Sequence, residues 1–381
     1  MACADSKDSV RRGSWPFWFR CFAMLPTFPT RSHYVRQRIL RALCCSAPGI
    51  FILLFNISAF CAPALSLATG PGGITIAGNA GSLGNVNGLG VGTLGTGASL
   101  ITSGVSNGVF YYSPVNVGLT GLTTGATGLV TAYINNDFTH TAVLTGYICS
   151  ASCSSFGSYT QLPTTAGSAT TVAAAAANNS TIEVWVGSYV SNTNGANAFT
   201  GADSVRITFT ATDSKNGKKG TVVLRVNLTV QNAVELTLSP ASGGLGVSLG
   251  SDFAMNFQNV NGLGINPAAG LTATSVPGGY VYHTPYAITP VFAGFTTTTT
   301  GTLKVQLKTA FGSPTMIFLE DSASSGGPYS AITTTATTIT SSAGSNTGVT
   351  RYLGLFVSNA NGAGTFTGTD SSSLTYTLTV P

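Results

Sequence analysis

Val205-Arg-Ile-Thr-Phe-Thr-Ala-Thr-Asp-Ser-Lys-Asn-Gly-Lys-Lys-Gly-Thr-Val-Val-Leu-Arg-Val-Asn-Leu-Thr-Val230 decides how this chain folds. Val205, Ile207, Phe209 and Ala211 alternate with polar residues, and Val222, Leu224, Val226, Leu228 and Val230 do the same in one phase. A period of two belongs to a half-buried β-strand, whose successive side chains leave opposite faces of the pleat. Between the runs stands Asn216-Gly217, a pair that accepts positive φ and closes hairpins. Lys215, Lys218 and Lys219 flank it as a solvated hairpin tip. The same alternation returns in residues 374–380, and further strands are expected over 182–186, 303–307, 316–319 and 353–357. Threonine suits the exposed face of such strands because its branched Cβ favours the extended backbone. Residues 173–177, a run of alanines, read as a single helical turn or a loop.

The alternating runs sit in a duplicated frame. Asn85-Val-Asn-Gly-Leu-Gly90 recurs as Asn259-Val-Asn-Gly-Leu-Gly264. Gly108-Val-Phe-Tyr-Tyr-Ser-Pro114 parallels Gly279-Tyr-Val-Tyr-His-Thr-Pro285. Tyr189-Val-Ser-Asn-Thr-Asn-Gly-Ala-Asn-Ala-Phe-Thr-Gly-Ala-Asp-Ser204 matches Phe356-Val-Ser-Asn-Ala-Asn-Gly-Ala-Gly-Thr-Phe-Thr-Gly-Thr-Asp-Ser371 at 11 of 16 positions. Solenoid repeats run to roughly 20–50 residues, whereas offsets of 167–174 are domain-sized. The fold class expected is therefore all-β: two tandem Ig-like antiparallel β-sandwich domains, copy one over residues 69–232 and copy two over 233–381. The copies differ in one respect. The strand at 221–230 has no counterpart after 374–380, which leaves copy two with an edge open to pairing with another chain.

Residues 1–68 read as a leader with a secretory signal peptide. Arg31, Arg36, Arg38 and Arg41 precede the apolar run Gly49-Ile-Phe-Ile-Leu-Leu-Phe-Asn-Ile-Ser-Ala-Phe60, and small-residue sites follow at Ala62-Pro63-Ala64 and Ser66-Leu67-Ala68. Met24 offers an alternative start. The leader holds eight basic and two acidic groups, while residues 69–381 hold eight basic and nine acidic, so the net charge of +5 is a property of the leader. Nucleic acid is excluded as a partner, since neutralising phosphates takes a basic stripe. The membrane is met only through the signal segment during export, and the product is expected to be secreted or held at the cell surface.

Of the seven cysteines only Cys149 and Cys153 follow the leader. Their spacing permits a disulfide across a tight loop, which an oxidising compartment favours. Aligned through Tyr159 and Tyr329, Cys149 falls opposite Leu319 and Cys153 opposite Ala323, so both are absent from copy two and the fold does not depend on the bridge.

In fold and in its Thr/Gly/Asn-rich composition, residues 69–381 resemble exported bacterial surface and pilus-type proteins. The chain departs from chaperone-assembled pilins in having no inter-strand cysteine pair. The resemblance implies a structural or adhesive surface protein, not an enzyme, with no cofactor, associating with itself or with other surface proteins.

The aromatic positions Tyr111, Tyr112, Tyr280, Tyr282 and Tyr286 offer ligand or partner contacts, and through them a second reading, a secreted carbohydrate-binding protein that stacks glycans on tyrosine rings. A third reading is a secreted serine hydrolase built on Gly104-Val-Ser-Asn-Gly108, with Ser106, Asp137 and His140 in order, but this chemistry needs a strand–turn–helix elbow and Val109-Phe-Tyr-Tyr112 reads as strand. Glu320-Asp321 reads as a turn, and Asn192–Asn197 as a loop lacking the carboxylates a calcium site uses.

Overall fold

A computed structural model describes residues 62–150, 153–248, 253–361 and 367–381; the leader up to residue 61, with its signal core, lies outside the described residues. The first sandwich contains β1 (Ala64–Thr69), β2 (Ala80–Val86), β3 (Ser99–Ile101), β4 (Gly108–Thr120), β5 (Gly128–Asn136), β6 (Leu144–Cys149), β7 (Thr160–Gln161), β8 (Thr170–Ala176), β9 (Ser180–Ser191), β10 (Gly201–Asp213) and β11 (Lys219–Val230). One sheet runs β1-β4-β9-β6-β7, with β3 also on β4, and the other runs β2-β11-β10-β5-β8. All pairs are antiparallel except β11 with β2, which run parallel. The quoted stretch forms the β10–β11 hairpin, with Val205 opposite Val226, Ile207 opposite Leu224 and Phe209 opposite Val222.

The second sandwich contains β12 (Ala233–Pro240), β13 (Val247–Ser248), β14 (Ala254–Met255), β15 (Thr272–Val276), β16 (Gly279–Ala293), β17 (Thr300–Thr309), β18 (Ile317–Ser322), β19 (Ser330–Ala331), β20 (Thr337–Gly344), β21 (Val349–Ser358) and β22 (Ser373–Thr379). Its large sheet, β12-β16-β21-β18-β19 with β15 on β16, repeats the large sheet of the first sandwich strand for strand. Its second sheet has only β20-β17-β22, which match β8, β5 and β10. Nothing among the described residues takes the place of β11, and β14, at the position of β2, pairs with β13 instead.

Both copies are pinned by the same hydrogen bonds. In the repeated Asn-Val-Asn-Gly-Leu-Gly motif, the second asparagine folds an Asx turn, its Oδ1 accepting from the N–H of Leu89 or Leu263 at 3.0 Å. The Tyr111 hydroxyl donates to the Asn87 carbonyl at 2.7 Å and accepts from the Asn87 N–H at 3.0 Å. The Tyr282 hydroxyl does the same to Asn261, at 2.7 and 3.1 Å. Ser113 Oγ accepts from the Ile74 N–H at 2.8 Å, as Thr284 Oγ1 does from Leu245. Motif and tyrosine are thus one clamp that ties a loop to the first part of β4 or β16.

Four local expectations change. Residues 173–177 are not a turn: most of them lie in β8, paired to β5, where cross-strand pairing overrides the weak helical preference of alanine. Glu320 and Asp321 lie within β18 and point to opposite faces. β1 begins at Ala64, so cleavage at the end of Ser66-Leu67-Ala68 would remove five of its six residues, whereas cleavage at the end of Ala62-Pro63-Ala64 removes only its first. By strand register Cys149 matches Ser322 rather than Leu319, because Cys149 opposes Trp185 and Ser322 opposes Tyr352, the counterpart of Trp185.

Candidate functional site

The difference between the two smaller sheets defines the first site. In the first sandwich β11 lies along β10, and its inward residues Leu224, Val226, Leu228 and Val230 are all buried, as are Ile207, Phe209 and Ala211 beneath it. The matching residues on β22 are Leu374, Tyr376 and Leu378, whose partners on β17 (Leu307, Val305 and Leu303) stand where β5 stands against β10. All three are only partly buried. Among the described residues β22 pairs on one side alone, with β17. The opening extends to the foot of the sandwich as a cavity of about 290 Å³ lined by Asn232, Ala233, Val234, Phe295, Leu378, Thr379 and Val380. In the first sandwich Gly220 of β11 fills this place, with no room for a side chain: a Cβ there would meet the Pro63 carbonyl oxygen at 1.7 Å.

The hairpin that carries β11 is capped by Asp213. Its carboxylate accepts from the N–H groups of Thr123 at 2.7 Å, Lys215 at 2.8 Å and Asn216 at 3.3 Å. The Thr123 amide, foremost, and the others hold its pKa down to about 2. Val380 stands at the corresponding position in the second copy and offers no such cap.

The interior beside the open position is also unusual. Ile148, Val115, Val184 and Phe209 form one buried apolar layer of the first sandwich. Strand register puts Asp321, Tyr286, Arg351 and Tyr376 at those four places in the second. Arg351 grips Asp321 through Nε, 3.2 and 3.1 Å from the two carboxylate oxygens, and through Nη2. The Tyr286 and Tyr376 hydroxyls share a hydrogen bond of 2.7 Å. Burial, first, and the neighbouring phenol raise the pKa of Tyr286.

The second site is the outer face of the large sheet of the first sandwich. Phe110 and Tyr159 are buried there beneath half-buried Tyr112, Tyr147, Phe156 and Trp185. The rings touch in sequence: Phe110 with Tyr159 at 4.5 Å, Tyr112 with Tyr159 at 5.8 Å and Tyr112 with Trp185 at 5.6 Å. Gly187 makes room, since a Cβ there would lie 2.2 Å from the Phe110 ring. The Cys149–Cys153 disulfide, with Cα atoms 5.9 Å apart, closes the adjoining loop. The Tyr159 hydroxyl is buried with no hydrogen-bond partner among the described residues. Val281, His283 and Glu320 replace Phe110, Tyr112 and Tyr147 in the second copy, where His283 packs against Tyr329 and Tyr352, the counterparts of Tyr159 and Trp185, so a smaller aromatic cluster recurs there.

Of the five tyrosines singled out by sequence, only Tyr112 belongs to this face. Tyr111 and Tyr282 are fully buried in their clamps, Tyr286 is buried against Tyr376, and Tyr280 packs toward the core against Gly264. Trp185, Tyr147, Phe156, Tyr159, Asp321, Arg351 and Tyr376 were missed. For Tyr147 and Trp185 the signal was present, since each falls out of phase with the buried residues of its strand.

The hydrolase arrangement is not assembled. Ser106 lies in a turn between β3 and β4, with no helix behind it. His140 Nδ1 is 2.9 Å from Asp203, not Asp137, and its ring stacks on Phe199 at 3.5 Å. Burial pushes the Asp203 carboxyl up, but hydrogen bonds from the His140 ring and from the Ser204, Thr139 and His140 amides outweigh it and the net shift is downward. Asn194 is engaged too, bonding the backbone of Phe292 and Phe295 in the second sandwich at 2.7 and 3.0 Å.

No family model and no curated protein matches the chain. Among solved structures it is similar to the CooA pilin subunit of enterotoxigenic Escherichia coli, at 13% identity over 44% of this chain and 99% of that one, with a TM-score of 0.26. It is also similar to the CupB6 tip adhesin of Pseudomonas aeruginosa, at 8% identity over 83% and 94%, TM-score 0.29. A further similar structure is the CsuC–CsuE chaperone–tip adhesion subunit pre-assembly complex from archaic chaperone-usher Csu pili of Acinetobacter baumannii, at 8% identity over 82% and 99%, TM-score 0.33.

Proposed function

We propose that this chain is an exported, non-enzymatic adhesive subunit that enters an assembly by accepting a β-strand from another chain along β22. The observation that carries the reading is the edge of β22, unpaired among the described residues, above the partly buried Leu374, Tyr376 and Leu378, where the matching edge of the same chain is sealed by β11. An open edge offers main-chain donors and acceptors for affinity, and alternate side-chain pockets give selectivity. β11 is a template for the incoming segment: each of its inward aliphatic side chains contributes about 1.5–3 kcal/mol on burial. Export is supported by the basic, apolar and small-residue order of the leader and by the disulfide.

The test uses a synthetic peptide copying residues 221–230 and amide hydrogen exchange on the exported chain. Binding is expected to slow exchange along β22 and near residues 254–260, and to leave β10 unchanged. Unaltered exchange at saturating peptide would overturn the reading.

A second reading concerns the other copy. The aromatic face of Tyr112, Tyr147 and Trp185 is supported as a platform for sugar rings by the half-buried rings it gathers on one surface and by the unpaired Tyr159 hydroxyl beneath it. A glycan array with Tyr112→Ala and Trp185→Ala variants tests it; binding that survives both changes would place recognition elsewhere.

A further inference from the structure

The polar layer beside the open strand position bears on which strand that position accepts. In the first sandwich Val222 of β11 lies opposite Phe209 and covers a layer whose members are all apolar. In the second, the same layer is Asp321, Arg351, Tyr286 and Tyr376, with Tyr376 on the strand bordering the opening. Its hydrogen-bonding capacity is unbalanced. Asp321 accepts from Arg351 through Nε and Nη2, which neutralises the charge. The two phenols share one hydrogen bond, which uses one of their two O–H groups. The remaining hydrogens, the second phenolic O–H and the outer guanidinium N–H groups, are all donors. A strand that covers the layer with an aliphatic side chain removes water from these donors and returns nothing; each buried unsatisfied group then carries a cost of about 1–3 kcal/mol.

We propose that the strand accepted along β22 is not uniformly aliphatic but carries a side-chain oxygen, as in asparagine, glutamine or a carboxylate, at the position facing Tyr376. Its neighbours two residues away on the same face, above Leu374 and Leu378, are aliphatic or small. The inference rests on the open-strand reading and specifies the partner's chemistry: one acceptor in an otherwise apolar alternation. An all-apolar strand, including the chain's own β11, is disfavoured at this site, which keeps an internal strand of one copy from filling the opening in another.

The experiment compares two peptides copying residues 221–230, one unchanged and one with Val222→Asn, by fluorescence polarisation against the exported chain. The asparagine peptide is expected to bind about tenfold more tightly, the ratio that one recovered hydrogen bond to a buried donor gives. In the triple variant Asp321→Leu, Arg351→Met, Tyr376→Phe, which rebuilds the layer in the apolar manner of the first sandwich, the order reverses. Should that variant fail to fold, Tyr376→Phe alone narrows the ratio. Equal affinities, or preference for the valine peptide on the unmodified chain, overturn this inference while leaving strand acceptance standing. Binding of neither peptide overturns strand acceptance and this inference with it.

Discussion

Ile207 and Leu374 occupy the same place in the two copies, and truncating each to alanine measures how far the second core is open. Ile207 is 1% exposed, between Ile134 on β5 and Leu224 on β11. Ile207→Ala therefore leaves a cavity closed on all sides and costs about 2–5 kcal/mol. At about 3 kcal/mol, a sandwich of this size loses about 6–12 °C from its melting point. Leu374 has Leu307 on one side and no strand on the other. Part of its surface already meets water, so Leu374→Ala forfeits less burial and costs about 1 kcal/mol. The two transitions separate in calorimetry. They are assigned by fluorescence, because Trp185 is the only tryptophan beyond residue 61 and reports the first sandwich alone. Strand peptide at 100 times its dissociation constant should raise only the transition silent in fluorescence, by about 2.7 kcal/mol or roughly 5–11 °C. Leu374→Ala should then weaken the peptide itself. A Leu374→Ala cost as large as that of Ile207→Ala, in the absence of peptide, would refute the reasoning, because it would mean that Leu374 is already sealed.

Tyr111→Phe removes both bonds to Asn87 and leaves a buried amide and carbonyl unmatched, so equilibrium unfolding should show a loss of about 1–3 kcal/mol in the first sandwich, with glycan binding unchanged. Acidification should weaken the first sandwich through Asp213. Its folded pKa lies below the ordinary carboxylate value, so its contribution is complete above about pH 4 and is lost as pH falls toward 2, and Asp213→Asn should flatten that part of a melting-point profile. Reducing Cys149–Cys153, which are only four residues apart in sequence, releases a small loop; the melting point should fall by a few degrees, matching about 2 kcal/mol, without unfolding the domain. Gly187→Ala drives a Cβ into Phe110 and the Tyr111 carbonyl, and should lower stability and disturb the near-ultraviolet dichroism of the aromatic face together.

The all-β duplication was legible because it rests on local periodicity and on repeated turn motifs, which the chain writes in order. The strand that seals the first sandwich was legible for the same reason, since residues 221–230 alternate visibly; that β22 pairs on one side alone among the described residues is read from the sheet order. The tyrosines were misjudged because proximity in sequence says nothing about face. Tyr111 and Tyr112 are neighbours on β4, yet one is clamped in the core and the other looks outward. Counting phase from Val109 and Val115, both buried, would have separated them. The polar layer was out of reach of the sequence, since Asp321, Arg351, Tyr286 and Tyr376 come from four strands and meet only once both sheets are stacked.

What the two copies share and what they do not share separates scaffold from function without recourse to relatives. The clamps at Tyr111 and Tyr282, the buried hydroxyls of Ser113 and Thr284, and the glycines at 187 and 354 recur because each position is constrained locally: the hydroxyls satisfy backbone groups, and the glycines sit where a Cβ would strike a neighbouring side chain. Gly354, like Gly187, has no room for a Cβ, which would meet Val281 at 2.8 Å and Tyr329 at 2.9 Å. Two of the differences bear on the sites described: the larger aromatic outer face of the first copy, and β22 with its polar layer in the second. Drift under a common fold would spread changes over exposed positions, where they cost little, and would spare buried ones, where a charge without a partner costs several kcal/mol. Four buried apolar residues exchanged for an ion pair and a phenol pair in one layer are the reverse of that pattern. Within the layer each polar group is matched, Arg351 with Asp321 and Tyr286 with Tyr376, and the layer borders the strand position that stays unpaired among the described residues.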